Sequence, residues 1–528
     1  MARDPQAALV ALNRFGFGAR GAASGDYEAA IADPRGFVKA ELLKPNAALL
    51  IAPGLLSTPE LGQALFAYQK EVRLQREQQK AAQPQAQTVP NANAAVPVPS
   101  APAAAPQRSL SGPKPDQMAA ASGDGMSAQP PVPAPTAPAQ PQTQVQPQPP
   151  LQQPPQPLNV IQKTFRTEAL ARFQHATLAE VGFVERLVAF WSNHFCISAN
   201  KGEPARIWAG AFEREAIRPH VLGRFADMLR AVEQHPAMLF FLDNQQSLGP
   251  NSRAGINRKR GLNENLAREI MELHTLGVGG GYTQADVTSL ARIITGWTFA
   301  GPQGQLAPPG SFAFNANAHE PGPQTLLNKS YDDNGLAQGE AALNDLARHP
   351  STAKFIATKL VRHFVADDPP PALVTRLADT FHKSDGDLAA VSRALVESDE
   401  AWAAPLTKIR SPYDYIIATG RMLAAIPPEP NRYLGPLNLL GQPLWSPAGP
   451  NGFADTNAVW ASPEGMKLRL DLAAQIGERT GDSVEPRDLI RVVAGDAATP
   501  ETKRAIELAE SRKQAMALLL MSPEFQRR

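Results

Sequence analysis

At 528 residues the chain can hold two or three average domains or one large one. Its 51 Lys and Arg stand against 50 Asp and Glu, a balance that argues against a general nucleic-acid binder because nothing drives counterion release. The one cysteine, Cys196, excludes an internal disulfide and a zinc knuckle.

The first residues, MARDPQAALVALNRFGFGARG, lack the long apolar core of an export signal. No run reaches the ~18 apolar residues of a membrane span. On this reading the protein stays in the cytoplasm, with export in company with a partner left open. TPELGQALFAYQKEVRLQREQQKAAQ reads as a helix, and it runs into a segment, 81–158, of Pro, Gln and Ala. That segment holds 20 of the 51 prolines. It buries too little apolar surface to offset its ordering entropy, so a disordered insert is expected. Helical pattern resumes beyond it with IQKTFRTEALARFQHATL. The insert is therefore expected to join two helices of one domain, not to divide two domains.

In EVGFVERLVAFWSNHF, Phe183, Leu187, Phe190 and His194 share one face at about 100° per residue, with His194 mid-stripe. Cys196, between Phe195 and Ile197, reads as a small buried apolar residue. NENLAREIMELHTLG, 263–277, reads as an amphipathic helix with Leu262, Leu266, Ile270 and Leu273 on one stripe. Glu269 sits on the edge of that stripe and His274 flanks it, while Glu264 and Arg268 face solvent. GVGGGY reads as a helix stop and turn. Thr283 with Asp286 forms a capping box for the next helix. SFAFN alternates as a short hairpin strand would. In FIATKLVRHF, Ile356, Leu360 and His363 line up on one face, and Asp367-Asp368 before three prolines reads as a solvated helix end. The fold expected is mainly α: a single large multi-helix domain from 1–80 and 159–528, with one short β-hairpin and the disordered insert.

A buried imidazole needs a hydrogen-bond partner or a metal. A lone inward His is usually a satisfied core residue, but several on separate elements point to a shared site. The candidate metal ligands are His194, Glu269, Glu272, His274 and His319, and imidazole with carboxylate suits zinc, iron or manganese. Glu269, His194 and Glu320 are the candidate catalytic residues. His194 and Glu269 are expected within hydrogen-bond reach, in a pocket also touched by His319. On a straight helix Glu272 and His274 diverge by about 200°, so they chelate together only if the helix ends between them. EIMELH is neither the His-Glu-x-x-His of zinc proteases nor the Glu-x-x-His of di-iron bundles. A Gly-x-Ser-x-Gly elbow and a phosphate loop are both missing.

ALNRFGFGAR, FWSNHF, HPAMLFFLDN, NENLAREIMELHTLGVGGGYTQADV, GWTF, AHEPG, KLVRHFVADDPP, RSPYDY and GQPLWSPAGPNGF follow one another along the chain. In that order they resemble a large bacterial family catalogued as domain of unknown function 1800, over nearly all of the chain outside the insert. The resemblance brings no established activity. It implies a frequent neighbour that resembles sulfatases and alkaline phosphatases, and export of many members, which the start of this chain does not match. Phe453 stands where the family pattern suggests Trp, and Glu320 where it suggests Asp, a swap that keeps the carboxylate. Two functions are weighed. One is a helical enzyme with a buried His/Glu site, a metal-dependent hydrolase or oxidoreductase or a metal-free acid/base pair. The other is a non-catalytic partner or chaperone of the sulfatase-like or phosphatase-like neighbour.

Overall fold

Many helices begin with a short polar cap followed at once by proline. Asp33, Ser411, Ser462, Thr499 and Ser522 each accept a main-chain N–H two or three residues on, with Pro34, Pro412, Pro463, Pro500 and Pro523 next in sequence. The side-chain oxygen satisfies an orphan donor, and proline at the first helical position loses no bond. His235 and His349 do the same with Nδ1, ahead of Pro236 and Pro350. The expected Thr283–Asp286 capping box is also present.

The computed structural model describes residues 4–82, 157–256, 261–481 and 483–528. Most of the expected insert, 81–158, lies outside them. The protein is mainly α. The described residues of 1–75 and 158–528 form one compact unit. The helix before the insert spans Thr58–Ala82 and the one after it Val160–Leu178. Among the described residues there are two small antiparallel sheets, not one hairpin. SFAFN does supply a strand, Phe312–Phe314, paired with Trp297–Phe299. The second sheet pairs Gln324–Leu326 with Lys329–Tyr331. Its turn places Leu327 and Asn328 at φ 49° and 63°. A leucine in that left-handed position is a poor turn signal, which hid this hairpin in the sequence.

The Phe183–His194 helix lies in the middle of the core. Phe183, Leu187, Phe190 and His194 are buried, as their spacing predicts, and so are Glu185 and Arg186 on other faces. Those charges are paired: Glu185 with Arg218 at 2.6 Å, and Arg186 with Asp414 at 3.2 Å. Buried arginines also clamp main-chain carbonyls. Arg14 reaches Ala401 O and Ala403 O, and Arg410 reaches Phe17 O and Asn13 Oδ1. The ALNRFGFGAR stretch is thus a structural anchor, with Asn13 bonded onward to Glu524 O.

Candidate functional site

The helix of the NENLARE stretch changes pitch. Asn265–Glu269 is α-helical, and Ile270–His274 is a wider π-turn closed by Thr275 Oγ1 on Ile270 O at 2.6 Å. A straight 100° wheel therefore fails after Glu269. Met271 is fully buried, whereas Leu273, expected on the stripe, is only half-buried. The helix ends at His274, and Gly277 follows at φ +81°, where a Cβ would meet Phe355 at 2.8 Å.

His274 is 1 % exposed and its Nδ1 lies 2.8 Å from Glu233 Oε1, a carboxylate at 0 %. The His274 carbonyl, left without a helical partner at the helix end, lies 3.1 Å from His194 Nε2, which donates to it. The expected His194–Glu269 hydrogen bond is not made among the described residues, because the π-turn offers this carbonyl instead. His194 Nδ1, His274 Nε2 and Glu233 Oε2 are buried with no hydrogen-bond partner among the described residues. Burial, then the nearby Lys359 and His274, hold the His194 imidazole well below its ordinary pKa.

Two further groups stand at this cluster. Glu269 is half-buried and close enough to feel His274, Glu272 and Glu233, and burial raises its carboxyl pKa. Lys359, from the Pro350–Phe364 helix, is pushed by burial down to about 8. Its ammonium faces the Phe355 ring at 5.4 Å. Neither Glu269 nor Lys359 makes a side-chain hydrogen bond or ion pair among the described residues. The Cys196 thiol feels both charges and is pushed up to about 12, chiefly by burial, so it is the inert buried thiol its neighbours suggested. Among the described residues Glu272 accepts one hydrogen bond, from Tyr282 Oη at 3.4 Å.

His319 and Glu320 sit among other partners. His319 Nδ1 donates to Thr295 O at 3.0 Å, and its Nε2 lies 3.6 Å from Asp333. Both oxygens of Glu320 accept from Asn251, at 2.6 and 2.8 Å. No contact among the described residues joins this pair to His194, His274 or Glu269. Glu320 fastens the 249–255 loop, whose Gly249 and Ala254 N–H groups bond to Ala318 O and Asn317 O. Among the described residues no three His, Cys, Asp or Glu side chains are arranged to hold a metal ion. The expected zinc, iron or manganese ligands His194, Glu269, Glu272, His274 and His319 are not gathered into one such group among the described residues.

A second feature was not foreseen from sequence. A cavity of about 80 Å³ lies under the loop 441–456, with Arg172, Cys196, His363, Tyr413, Asp455 and Trp445 on its walls. The loop is fastened to the residues after the central helix: Ser198 Oγ bonds Pro447 O at 2.9 Å, Cys196 Sγ lies 3.2 Å from Pro450 O, and Ala199 N bonds Trp445 O at 2.7 Å. His363 Nδ1 donates to Asp455 Oδ2 at 2.6 Å, and Nε2 accepts from Arg186 at 3.2 Å. Both ring nitrogens are thus engaged, and burial lowers the His363 pKa to about 4. This imidazole is a structural bridge and not a free base. Its inward spacing was the one sequence signal for the cavity.

The family described as a protein of unknown function (DUF1800) matches residues 10–527. The chain belongs to the DUF1800 family. No curated protein and no solved structure matches it. In this DUF1800 protein FWSNHF and NENLAREIMELH supply the His194–His274 cluster. FWSN, KLVRHF, RSPYDY and GQPLWSPAGPNGF converge on the cavity. Asp367 of the VADDPP stretch, expected as a solvated turn, instead accepts from Lys408 at 2.7 Å and from Asn457 N at 2.8 Å. No helix among the described residues is long and apolar enough to cross a membrane.

Proposed function

We propose that this protein is an enzyme of proton-transfer chemistry, such as a hydrolase, with Glu269 and Lys359 as its acid–base groups and His194 and His274 as the polar floor beside them. The observation that carries the reading is the lack of partners. Most other buried or half-buried ionisable groups of the core are paired, as Glu185 is with Arg218 and Asp414 with Arg528. Among the described residues Glu269 and Lys359 are left open beside a buried His–His–Glu chain that itself has three unmet polar atoms. A carboxyl raised by burial and an amine lowered to about 8 have their proton affinities brought closer together than in free side chains. Glu269 serves as the base, and Lys359 returns the proton.

The test pairs a substrate screen with two variants. Glu269→Gln and Lys359→Met should each cut any turnover found by about 100-fold or more, while leaving the fold intact by circular dichroism. Independently of substrate, Lys359 should react with an amine-selective reagent with a midpoint near pH 8. An activity that survives both substitutions sinks the assignment of Glu269 and Lys359 as the acid–base groups.

A further inference from the structure

The cavity under the 441–456 loop holds an arginine with open donors. Arg172, on the Val160–Leu178 helix, is only 5 % exposed. Its Nε lies 2.7 Å from Glu213 Oε2, but the N–H does not point along that line and makes no hydrogen bond. The guanidinium stands 4.3 Å over the Tyr413 ring and 5.7 Å from that of Trp445. No described residue accepts a hydrogen bond from either Nη. The contrast with other buried arginines is direct. Arg218 spends its terminal nitrogens on Glu185 and Ala48 O, Arg410 on Phe17 O and Asn13, and Arg469 on Gln526 and Arg410 O.

Two more donors on the same wall are open. Tyr413 Oη has no hydrogen bond among the described residues. Gln442 takes the Tyr413 N–H on Oε1 at 2.8 Å and leaves its amide nitrogen unused. The carboxylates of the cavity are already neutralised: Asp414 by Arg186 at 3.2 Å and Arg528 at 3.0 Å, Asp455 by Arg528 at 3.0 Å and Lys408 at 3.6 Å. They do not oppose an incoming anion. Glu213 stays beside Arg172 as its counter-charge, and the two open Nη groups form a planar fork that matches the two oxygens of a carboxylate. The volume of about 80 Å³ would take roughly three waters at liquid density, enough for a carboxylate head with the body of a small organic acid toward the open mouth. Tyr413, Trp445, Phe453 and Trp460 give the rest of the wall an aromatic face.

We propose that this cavity is a binding site for a small carboxylate with a flat apolar body, the carboxylate held by the Arg172 fork and the body against Tyr413 and Trp445. The site is independent of the Glu269–Lys359 chemistry.

The experiment is a calorimetric titration of the full chain at low salt with benzoate, benzamide and inorganic phosphate, repeated on variants. Benzoate should bind one to one, and benzamide, which has the same shape without the charge, should bind at least about tenfold more weakly. Arg172→Gln should weaken benzoate by about tenfold or more. Glu213 keeps Arg218, Ser192 and Trp445 in that variant, so the wall stands. Should Arg172→Gln fail to fold, Tyr413→Phe, which keeps the stack and removes one donor, should weaken benzoate severalfold. Benzoate that fails to bind, or that binds no better than benzamide, overturns the proposal. Unchanged affinity in Arg172→Gln does the same, and so does phosphate binding as tightly as benzoate, which would mean a bare anion site.

Discussion

Asn193 grips the main chain of Phe453 with both ends of its amide: Oδ1 accepts from Phe453 N at 2.8 Å, and Nδ2 donates to Phe453 O at 2.9 Å. The next residue, His194, points about 100° further round the helix and meets His274 O. One turn of FWSNHF therefore serves two places, the loop over the cavity and the His cluster. The loop fits closely, since Gly452 has φ +75° and a Cβ there would meet Asn193 O at 2.4 Å.

Asn193→Ala should release that loop. Two partly buried hydrogen bonds are lost, at a cost of about 1–3 kcal/mol together. The specific readout is limited proteolysis: cleavage within 441–456 should become several times faster, with the rest of the chain protected. Unchanged cleavage would mean that Ser198 and Cys196 hold the loop without Asn193.

His274→Ala should be far more damaging than its size suggests. It leaves Glu233, at 0 % exposure, without the imidazole 2.8 Å away. Leaving a buried acceptor without its donor costs about 1–3 kcal/mol, more where the group carries charge. Adding Glu233→Gln to His274→Ala should therefore recover part of the loss. A double variant less stable than the single one, measured by urea denaturation, would show that Glu233 is held by something other than His274.

The contrast between His194 and Glu269 marks how far the sequence could be read. The helical class, both flanks of the insert, the buried stripe with His194 and the capping box at Thr283 all follow from periodicity and capping, which are local. Glu269 was placed by the same wheel, but that it would stand without a partner among the described residues was not legible. The π-turn at Ile270–His274 breaks the 100° period, and nothing in EIMELH announces it. Glu233 and Lys359 escaped because each sits on an ordinary amphipathic helix, and only tertiary packing shows what they face. His319 and Glu320 looked like site residues because a His-Glu pair in a loop resembles a ligand pair. The fold uses them to tie Thr295 and the 249–255 loop. Arg172 gave no signal, since an arginine in a helix is usually solvated.

His363 sets an acid-sensitive contribution. Its folded pKa is about 4 against an ordinary 6.5, so the unfolded chain binds the extra proton throughout that interval. Stability then rises with pH between 4 and 6.5. The contribution, up to about 3 kcal/mol, is complete above 6.5 and is lost as pH falls toward 4. His363→Gln should flatten the dependence of urea midpoint on pH between 7 and 5. An equal slope in wild type and variant would assign the acid sensitivity to other groups.

Lys359 has the opposite consequence at the other end of the scale. Its folded pKa of about 8 lies below the ordinary 10.5, so between those values the unfolded chain again binds more protons. Stability should therefore climb as pH rises from 8 to 10.5, by up to about 3 kcal/mol, as the cost of an enclosed ammonium disappears. Below pH 8 that cost is fully present. Lys359→Met removes it and keeps the length and much of the packing of the side chain. The variant should be more stable than wild type at pH 7 and should lack the alkaline rise, while losing the activity assigned to this group. Gain of stability with loss of function is what an unpartnered catalytic amine implies. A Lys359→Met protein that melts earlier at pH 7 would mean the ammonium has a stabilising partner, and the acid–base assignment would fall with it.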